Sequence, residues 1–203
     1  MQSNLELGSI CEEDVLRADM YSFLASLLRR EPSDMLITEV ALLEGDSTPI
    51  GCACLSLSHL AKTLDNEVIR NEYVDLFIGV GRGELLPFAS YYLTGFLNDK
   101  PLANLRGDMA SIGIVRTEGV KEPEDHIASL FDVASGLIRG DFGRVYSIGE
   151  QATFFQKHIE TWAGLLMRDI EAAESAVFFG PVGTIGRCFL EIECQAFSMD
   201  GTG

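Results

Sequence analysis

The densest group of ionisable side chains in this chain lies in the segment from Lys121 to His126, which reads Lys-Glu-Pro-Glu-Asp-His. An imidazole beside carboxylates is the combination that general acid–base catalysis uses, and carboxylates alone can pair with a basic ligand. The same residue types suit the start of a helix, where the backbone dipole favours negative charge. Neighbouring carboxylates are expected to raise the pKa of His126. The segment therefore predicts either a charged functional site or a helix cap.

A catalytic role for this segment needs partners that the sequence does not supply. Glu124, Asp125 and His126 are consecutive, and neighbouring side chains on a helix point in different directions. The chain contains no G-x-S-x-G elbow, no H-E-x-x-H pair and no cysteine next to a histidine. We therefore predict that it is not an enzyme and has no catalytic residue. One alternative stays open, a small nucleotide-handling or hydrolytic enzyme with its site at this turn, which His158 could join.

The element that follows the turn is expected to position it. Proline disfavours the helical conformation of the preceding residue, so Glu122 should end a loop and Pro123 should open a helix. Apolar residues then recur at helical spacing as far as Arg139, namely Ile127, Leu130, Phe131, Ala134, Leu137 and Ile138. At such a helix start Asp125 and His126 are expected to stay in water, and residues 116–126 are expected to form a hinge.

Helical periodicity recurs along the whole chain, and no segment alternates apolar and polar residues as a half-buried strand does. The capping box of Ser147 and Glu150 is predicted to open the longest helix. The predicted helices cover Glu12 to Arg30, Ser33 to Leu43, Pro49 to Leu64, Asn66 to Phe77, Leu102 to Ile114, Glu124 to Arg139, Ser147 to Ile170 and part of Ala176 to Phe197. The sequence thus predicts one all-α domain over residues 1–203.

Charge and composition exclude several classes of partner. The formal net charge is −16, which disfavours nucleic-acid phosphates and anionic lipids and favours basic ligands. The longest uncharged run, Ser47 to Ala61, is shorter than the ~20 residues that a membrane-spanning helix needs. The N-terminal residues show no basic segment followed by an apolar stretch, which predicts a cytoplasmic protein.

Neither a metal nor a cofactor is expected. The five cysteines include no C-x-x-C pair, and Cys52 and Cys54 are too closely spaced for a usual zinc site, so buried reduced thiols are predicted. The glycines of Gly79-Val80-Gly81-Arg82-Gly83 lack the G-K-[ST] of a phosphate-binding loop. That stretch is predicted to be a connection between helices.

Four segments together resemble a known family. Residues 122–126 match the E-P-x-D-H motif of the TorD/DmsD/NarJ-type chaperones, which assist molybdoenzymes before twin-arginine export. Residues 71–79 resemble that family's E-Y-x-x-L-F-x-G segment, and residues 87–92 resemble its P-x-x-S-x-Y segment, with Ala89 where an acidic residue is common. Residues 155–162 are similar to its F-x-x-H-x-x-x-W helix. The resemblance extends over residues 12–198.

The resemblance implies a fold, a function and a site. The fold would be a TorD-like helical bundle, either a monomer or a homodimer that exchanges its last helices about the hinge at 116–126. The function would be that of a cytosolic chaperone binding the twin-arginine leader of an apo-molybdoenzyme, such as a formate dehydrogenase or a DMSO/TMAO reductase, until it has folded and received its cofactor. His158 and Trp162 would brace the bundle. The implied leader-binding residues are Tyr73, Leu76, Phe77, Pro87, Tyr91, Glu122, Asp125 and His126.

Overall fold

The computed structural model describes residues 10–114 and 122–200, and within them the chain is a bundle of α-helices without a β-strand. The all-α prediction is therefore confirmed. The helices are α1 (Glu12–Arg29), α2 (Asp34–Val40), α3 (Pro49–Thr63), α4 (Asn66–Tyr73), α5 (Ala89–Thr94), α6 (Lys100–Ser111), α7 (Ile127–Arg139), α8 (Ile148–His158), α9 (Ala163–Ala172) and α10 (Phe179–Asp200). A π-helical turn, Val74–Ile78, continues α4.

The core forms around α7, in which ten of the thirteen residues are buried. Such a helix needs apolar neighbours on almost every side. Helix α1 packs along it, and α10 packs along α9 and α3. The ring of Tyr21 on α1 lies 5.5 Å from that of Phe131 on α7 and 4.7 Å from that of Phe189 on α10. These aromatic contacts join the three helices in one core.

Side chains that accept backbone hydrogen bonds fix several helix starts. Ser33 accepts the N–H of Leu36 at the start of α2. The predicted capping box is present at α8, where the Ser147 side chain accepts the N–H of Glu150 and the Glu150 carboxylate accepts the N–H of Ser147. These bonds satisfy donors that have no partner within the helix.

Helix α5 is absent from the sequence prediction, and two other elements differ from it clearly. Helix α7 begins at Ile127, with His126 as its N-cap, so Pro123 and Glu124 lie in a turn before the helix. The helix predicted from Ser147 to Ile170 is interrupted at Ile159–Trp162, and α10, with 22 residues, is longer than either half. At the interruption the indole N–H of buried Trp162 donates to the backbone carbonyl of His158 at 2.8 Å. The ring of Trp162 also lies 5.4 Å from that of Tyr92 on α5, so Trp162 joins separate helices, as the resemblance implies.

Buried charged groups tie distant helices together. The carboxylate of Glu193 on α10 accepts from the guanidinium of Arg17 at 2.7 and 2.9 Å and from the hydroxyl of Tyr21 at 2.9 Å. The carboxylate of Glu72 on α4 accepts the backbone N–H groups of Val177, Phe178 and Phe179 at 2.7 to 2.9 Å. Glu72 thus caps the start of α10 from another helix.

The remaining sequence predictions have mixed outcomes. Of the five cysteines Cys54 alone is buried, whereas Cys11 and Cys52 are exposed, so the prediction of five buried thiols is wrong. In residues 10–114 and 122–200, His, Cys, Asp and Glu side chains do not gather into a group that could hold a metal ion. No helix in the described part of the chain has both the length and the hydropathy that a membrane crossing requires. Most of the hinge predicted at 116–126, up to residue 121, lies outside the described residues.

Candidate functional site

Two of the sequence motifs, residues 87–92 and residues 122–126, are joined by a short antiparallel bridge. The backbone N–H of Ala89 donates to the carbonyl of Asp125 at 3.0 Å, and the N–H of Ile127 donates to the carbonyl of Pro87 at 2.9 Å. Phe88 and His126 are the paired residues of this bridge. The segment before α5 and the turn before α7 are therefore held together directly.

His126 lies inside this bridge and is only 3% exposed. Its Nδ1 accepts the N–H of Ala128 at 3.2 Å, and its ring meets that of Phe88 edge to face, with the centroids 5.0 Å apart. Because Nδ1 is an acceptor, the proton of the neutral ring is on Nε2, which lies 3.7 Å from a carboxylate oxygen of Glu122.

The pKa of His126 is lowered to about 3, mainly by burial and to a smaller extent by the positive charge of Arg29. The expectation that neighbouring carboxylates would raise this pKa is wrong, because the cost of burying the charged ring is larger than their attraction. His126 is therefore neutral at physiological pH and serves as a helix cap.

Asp125 is fully buried, with 0% exposure, so the expectation that it stays in water is also wrong. One carboxylate oxygen, Oδ2, accepts the backbone N–H of Ser90 at 2.8 Å. The other, Oδ1, has no hydrogen-bond partner among the described residues, and neither does the hydroxyl of Ser90. Buried polar atoms are nearly always hydrogen-bonded, so Oδ1 is a position at which a further donor would be accommodated.

A cavity of about 610 Å³ lies beside Asp125, bordered by α5, α6, α7 and the end of α8. Its wall is mostly apolar, and its charged or ionisable residues are Asp108, Asp125, Lys157 and His158. The apolar part of the wall includes Ala89, Leu93, Pro101, Leu105 and Leu130. Such a surface suits an amphipathic ligand with an apolar body and a polar group.

Helix α6 is held over this cavity by ion pairs that the sequence analysis did not identify. The Nε2 atom of His158 lies 2.9 Å from Asp108, and the Nζ atom of Lys157 lies 3.3 Å from the same carboxylate oxygen. Burial lowers the pKa of His158, and the hydrogen bond to Asp108 partly offsets this effect. At the other end of the site, the guanidinium of Arg106 pairs with Glu124. The sequence does not reveal these pairs, because the two members of each pair lie on different elements that are far apart in the chain.

The segment around Tyr73 faces the core. Tyr73, Leu76 and Phe77 are buried, and the ring of Phe179 lies 5.7 Å from both aromatic rings. The Tyr73 hydroxyl donates to the backbone carbonyl of Leu28 at 3.2 Å. Burial raises the pKa of Tyr73, and the nearby charge of Glu122 adds to the increase. Tyr73, Leu76 and Phe77 therefore lie in the core, on the inner side of the turn at residues 122–126.

Of the eight residues implied by the resemblance, only Tyr91 and Glu122 reach solvent. The guanidinium of Arg82 lies over the ring of Tyr91, 4.9 Å from its centroid. Glu122 is partly exposed, and burial raises its pKa. The structure brings Glu122, Asp125 and His126 together with Pro87, whereas the other buried members pack in the core.

The comparison with protein families gives one match over most of the chain. The model of the family described as nitrate reductase delta subunit matches residues 43–168. This range contains all eight residues and both sides of the cavity.

Curated relatives cover a similar part of the chain. The chaperone protein TorD of Vibrio atlanticus (strain LGP32) is 24% identical over 202 residues, which cover 88% of this chain and 93% of the relative. The chaperone protein TorD of Vibrio cholerae serotype O1 (strain M66-2) is 27% identical over 166 residues, which cover 72% of this chain and 76% of the relative. The named relatives are chaperones and not enzymes.

A solved structure shares the fold. The crystal structure of a protein assigned to redox enzyme maturation in Archaeoglobus fulgidus superposes with a TM-score of 0.56 at 20% sequence identity. The match covers 94% of this chain and 99% of that protein. The similarity establishes a common helical fold.

Proposed function

This chain belongs to the nitrate reductase delta subunit family, and from that premise we propose that it is a cytoplasmic maturation chaperone for a molybdoenzyme. It binds the twin-arginine leader of the apo-enzyme, such as a formate dehydrogenase or a DMSO/TMAO reductase. It holds that client until the client has folded and received its cofactor. No covalent chemistry is part of this role.

The prediction that the chain is not an enzyme is confirmed by its family, in which the named relatives are chaperones. The geometry of the turn agrees with this result. His126 uses Nδ1 to cap α7 and lies buried between Phe88 and the turn, so it has no free basic nitrogen facing the cavity. The hydrolytic alternative at Glu124, Asp125 and His126 is therefore dropped.

One observation carries the leader-binding proposal, which is the buried and unpartnered Oδ1 of Asp125 beside the cavity. A guanidinium carries five N–H donors and pairs with carboxylates more strongly than a neutral donor does. An arginine side chain entering the cavity would supply the missing donor. The net charge of −16 also favours the approach of a basic peptide.

The apolar stretch of the leader has a surface next to the same cavity. Leu93 is exposed and lines the cavity, and Phe96, at 71% exposure, follows it beyond the end of α5. An amphipathic helix can lay its apolar face on such residues while its charged end reaches the acids. In this arrangement Tyr91, Glu122 and Asp125 contact the leader.

The other five residues implied by the resemblance have a positioning role in this proposal. Their side chains are buried, and each packs or hydrogen-bonds so that the bridge and the turn keep their shape. They are Tyr73, Leu76, Phe77, Pro87 and His126.

Isothermal titration with a synthetic twin-arginine leader peptide tests the proposal. We expect saturable binding that weakens as salt is added, because partly exposed charge pairs are screened over ~8 Å at physiological ionic strength. Replacing both leader arginines with glutamine should weaken binding further. Equal affinity for the two peptides would contradict the proposal.

We also propose that the chain is either a monomer or a homodimer that exchanges its last helices about residues 116–126. Light scattering after incubation at high concentration distinguishes the two. A monomer under every condition would remove the exchanged dimer.

A further inference from the structure

The acidic turn already contains an arginine partner from within the chain. Both Nε and a terminal nitrogen of Arg106 donate to the same carboxylate oxygen of Glu124, at 3.0 and 2.8 Å. The Glu124 side chain is 12% exposed and that of Arg106 is 50% exposed. The guanidinium therefore lies on the solvent side of the pair and covers the carboxylate.

This pair lies at the edge of the proposed leader site. Leu105 and Gly107, on either side of Arg106, line the cavity, and so does Asp125, which follows Glu124. The pKa of Arg106 is raised mainly by its hydrogen bonds to Glu124 and also by the charge of Asp125. An arginine that entered to meet Asp125 would thus come close to the guanidinium of Arg106, and like charges repel.

We infer that Arg106 is an internal competitor for the arginines of the leader, which displace it from Glu124 when they bind. The inference rests on the proposed leader-binding function and adds a regulatory contact to that site. In the free protein Arg106 neutralises Glu124 and keeps the turn occupied. In the complex a leader guanidinium takes its place, and Arg106 moves into solvent.

The packing of α6 allows Arg106 to move away from Glu124 at a low cost in free energy. The helix buries only three side chains, Leu102, Leu105 and Met109. Asp108 on α6 contacts His158 on α8. Both residues line the 610 Å³ cavity and also a second cavity of about 160 Å³. Partly exposed ion pairs contribute little to stability, so one guanidinium can replace another at small cost.

The test compares Arg106→Gln with a matched control, Arg144→Gln. Arg144 forms a similar exposed pair with Glu150, and its loss changes the net charge by the same amount. We expect Arg106→Gln to bind a synthetic twin-arginine leader peptide roughly two- to fivefold more tightly than Arg144→Gln does, which is the effect of losing one competing surface pair. Arg106→Lys should lie between wild type and Arg106→Gln, because lysine pairs with a carboxylate as a single point charge.

A second variant shows whether the effect passes through Glu124. In a Glu124→Gln background, where the two arginines no longer compete for a carboxylate, the additional Arg106→Gln change should tighten binding less than it does when Glu124 is present. Equal affinities of Arg106→Gln and Arg144→Gln, or an equally large tightening with and without Glu124, would overturn the inference while leaving leader binding intact. Absence of leader binding by wild type and by every variant would overturn both proposals.

Discussion

The carboxylate of Asp125 accepts the backbone N–H of Ser90 at 2.8 Å, although 35 residues separate the two in the chain. Its other oxygen, Oδ1, is buried without a partner among the described residues, and Asp125 is one of the residues that line the cavity. One side chain thus has two separable tasks. Oδ2 holds two motifs together, and in the proposed function Oδ1 accepts from the leader.

The two tasks can be separated by substitution. Asp125→Asn keeps an oxygen that can accept the Ser90 N–H, so its free energy of unfolding should stay within about 1 kcal/mol of wild type. Asp125→Ala leaves that buried N–H without a partner and should cost ~1–3 kcal/mol. Urea denaturation measures both values. If Asp125→Asn is as unstable as Asp125→Ala, the carboxylate charge itself holds the fold.

The buried imidazole predicts how stability depends on pH. The pKa of His126 is about 3 in the folded chain and near 6.5 in the unfolded chain. Between these values the unfolded chain binds a proton that the folded chain does not, so the free energy of unfolding should fall as the pH is lowered from about 6.5 toward 3. The contribution of His126 is at most about 1.4 kcal/mol per pH unit.

His126→Asn is the matched variant for this measurement, because asparagine caps a helix and does not titrate. Urea denaturation of both proteins between about pH 7 and about pH 5 gives the two slopes. We expect the variant to lose less stability than wild type over this interval. Parallel slopes would show that His126 is not the titrating group.

We predict that Glu72, the acid of the segment at residues 71–79, has a structural role. Its carboxylate accepts three backbone N–H groups at the start of α10, and Glu72→Ala would leave them buried without that partner. We expect a loss of about 2–3 kcal/mol in the free energy of unfolding. Glu67→Ala, at an exposed position of the same helix, is the control and should change stability by no more than ~0.5 kcal/mol. Similar effects of the two changes would contradict the capping role.

Periodicity and capping residues were sufficient to predict most of the helices, but not α5. The apolar spacing of α1, α3 and α7 and the side chains of Ser33 and Ser147 are local signals, and the structure follows them closely. The break at Ile159–Trp162 carries no such signal, because no proline or glycine marks it in the sequence. It depends on the tertiary environment of Trp162.

The sequence predicted that the turn and the segment before α5 are candidate segments, but it did not predict their burial. The motifs identified the turn and the segment before α5, but polar residues at a helix start are normally solvated, and the burial of Asp125 and His126 depends on a bridge to residues 87–90. Long-range pairing of this kind has no local pattern. The same reason explains why Arg106 and Asp108 were missed, since their partners lie on other elements.

A double-mutant cycle between the chaperone and the leader tests the central claim most directly. The four affinities are those of wild type and Asp125→Asn for a synthetic twin-arginine leader peptide and for the same peptide with one arginine replaced by glutamine, measured by isothermal titration. If a leader arginine pairs with Asp125, each single change should remove most of the shared interaction, and the coupling should be about 1–3 kcal/mol for one of the two arginines. Additive effects at both arginines would contradict the account and place the leader elsewhere on the protein.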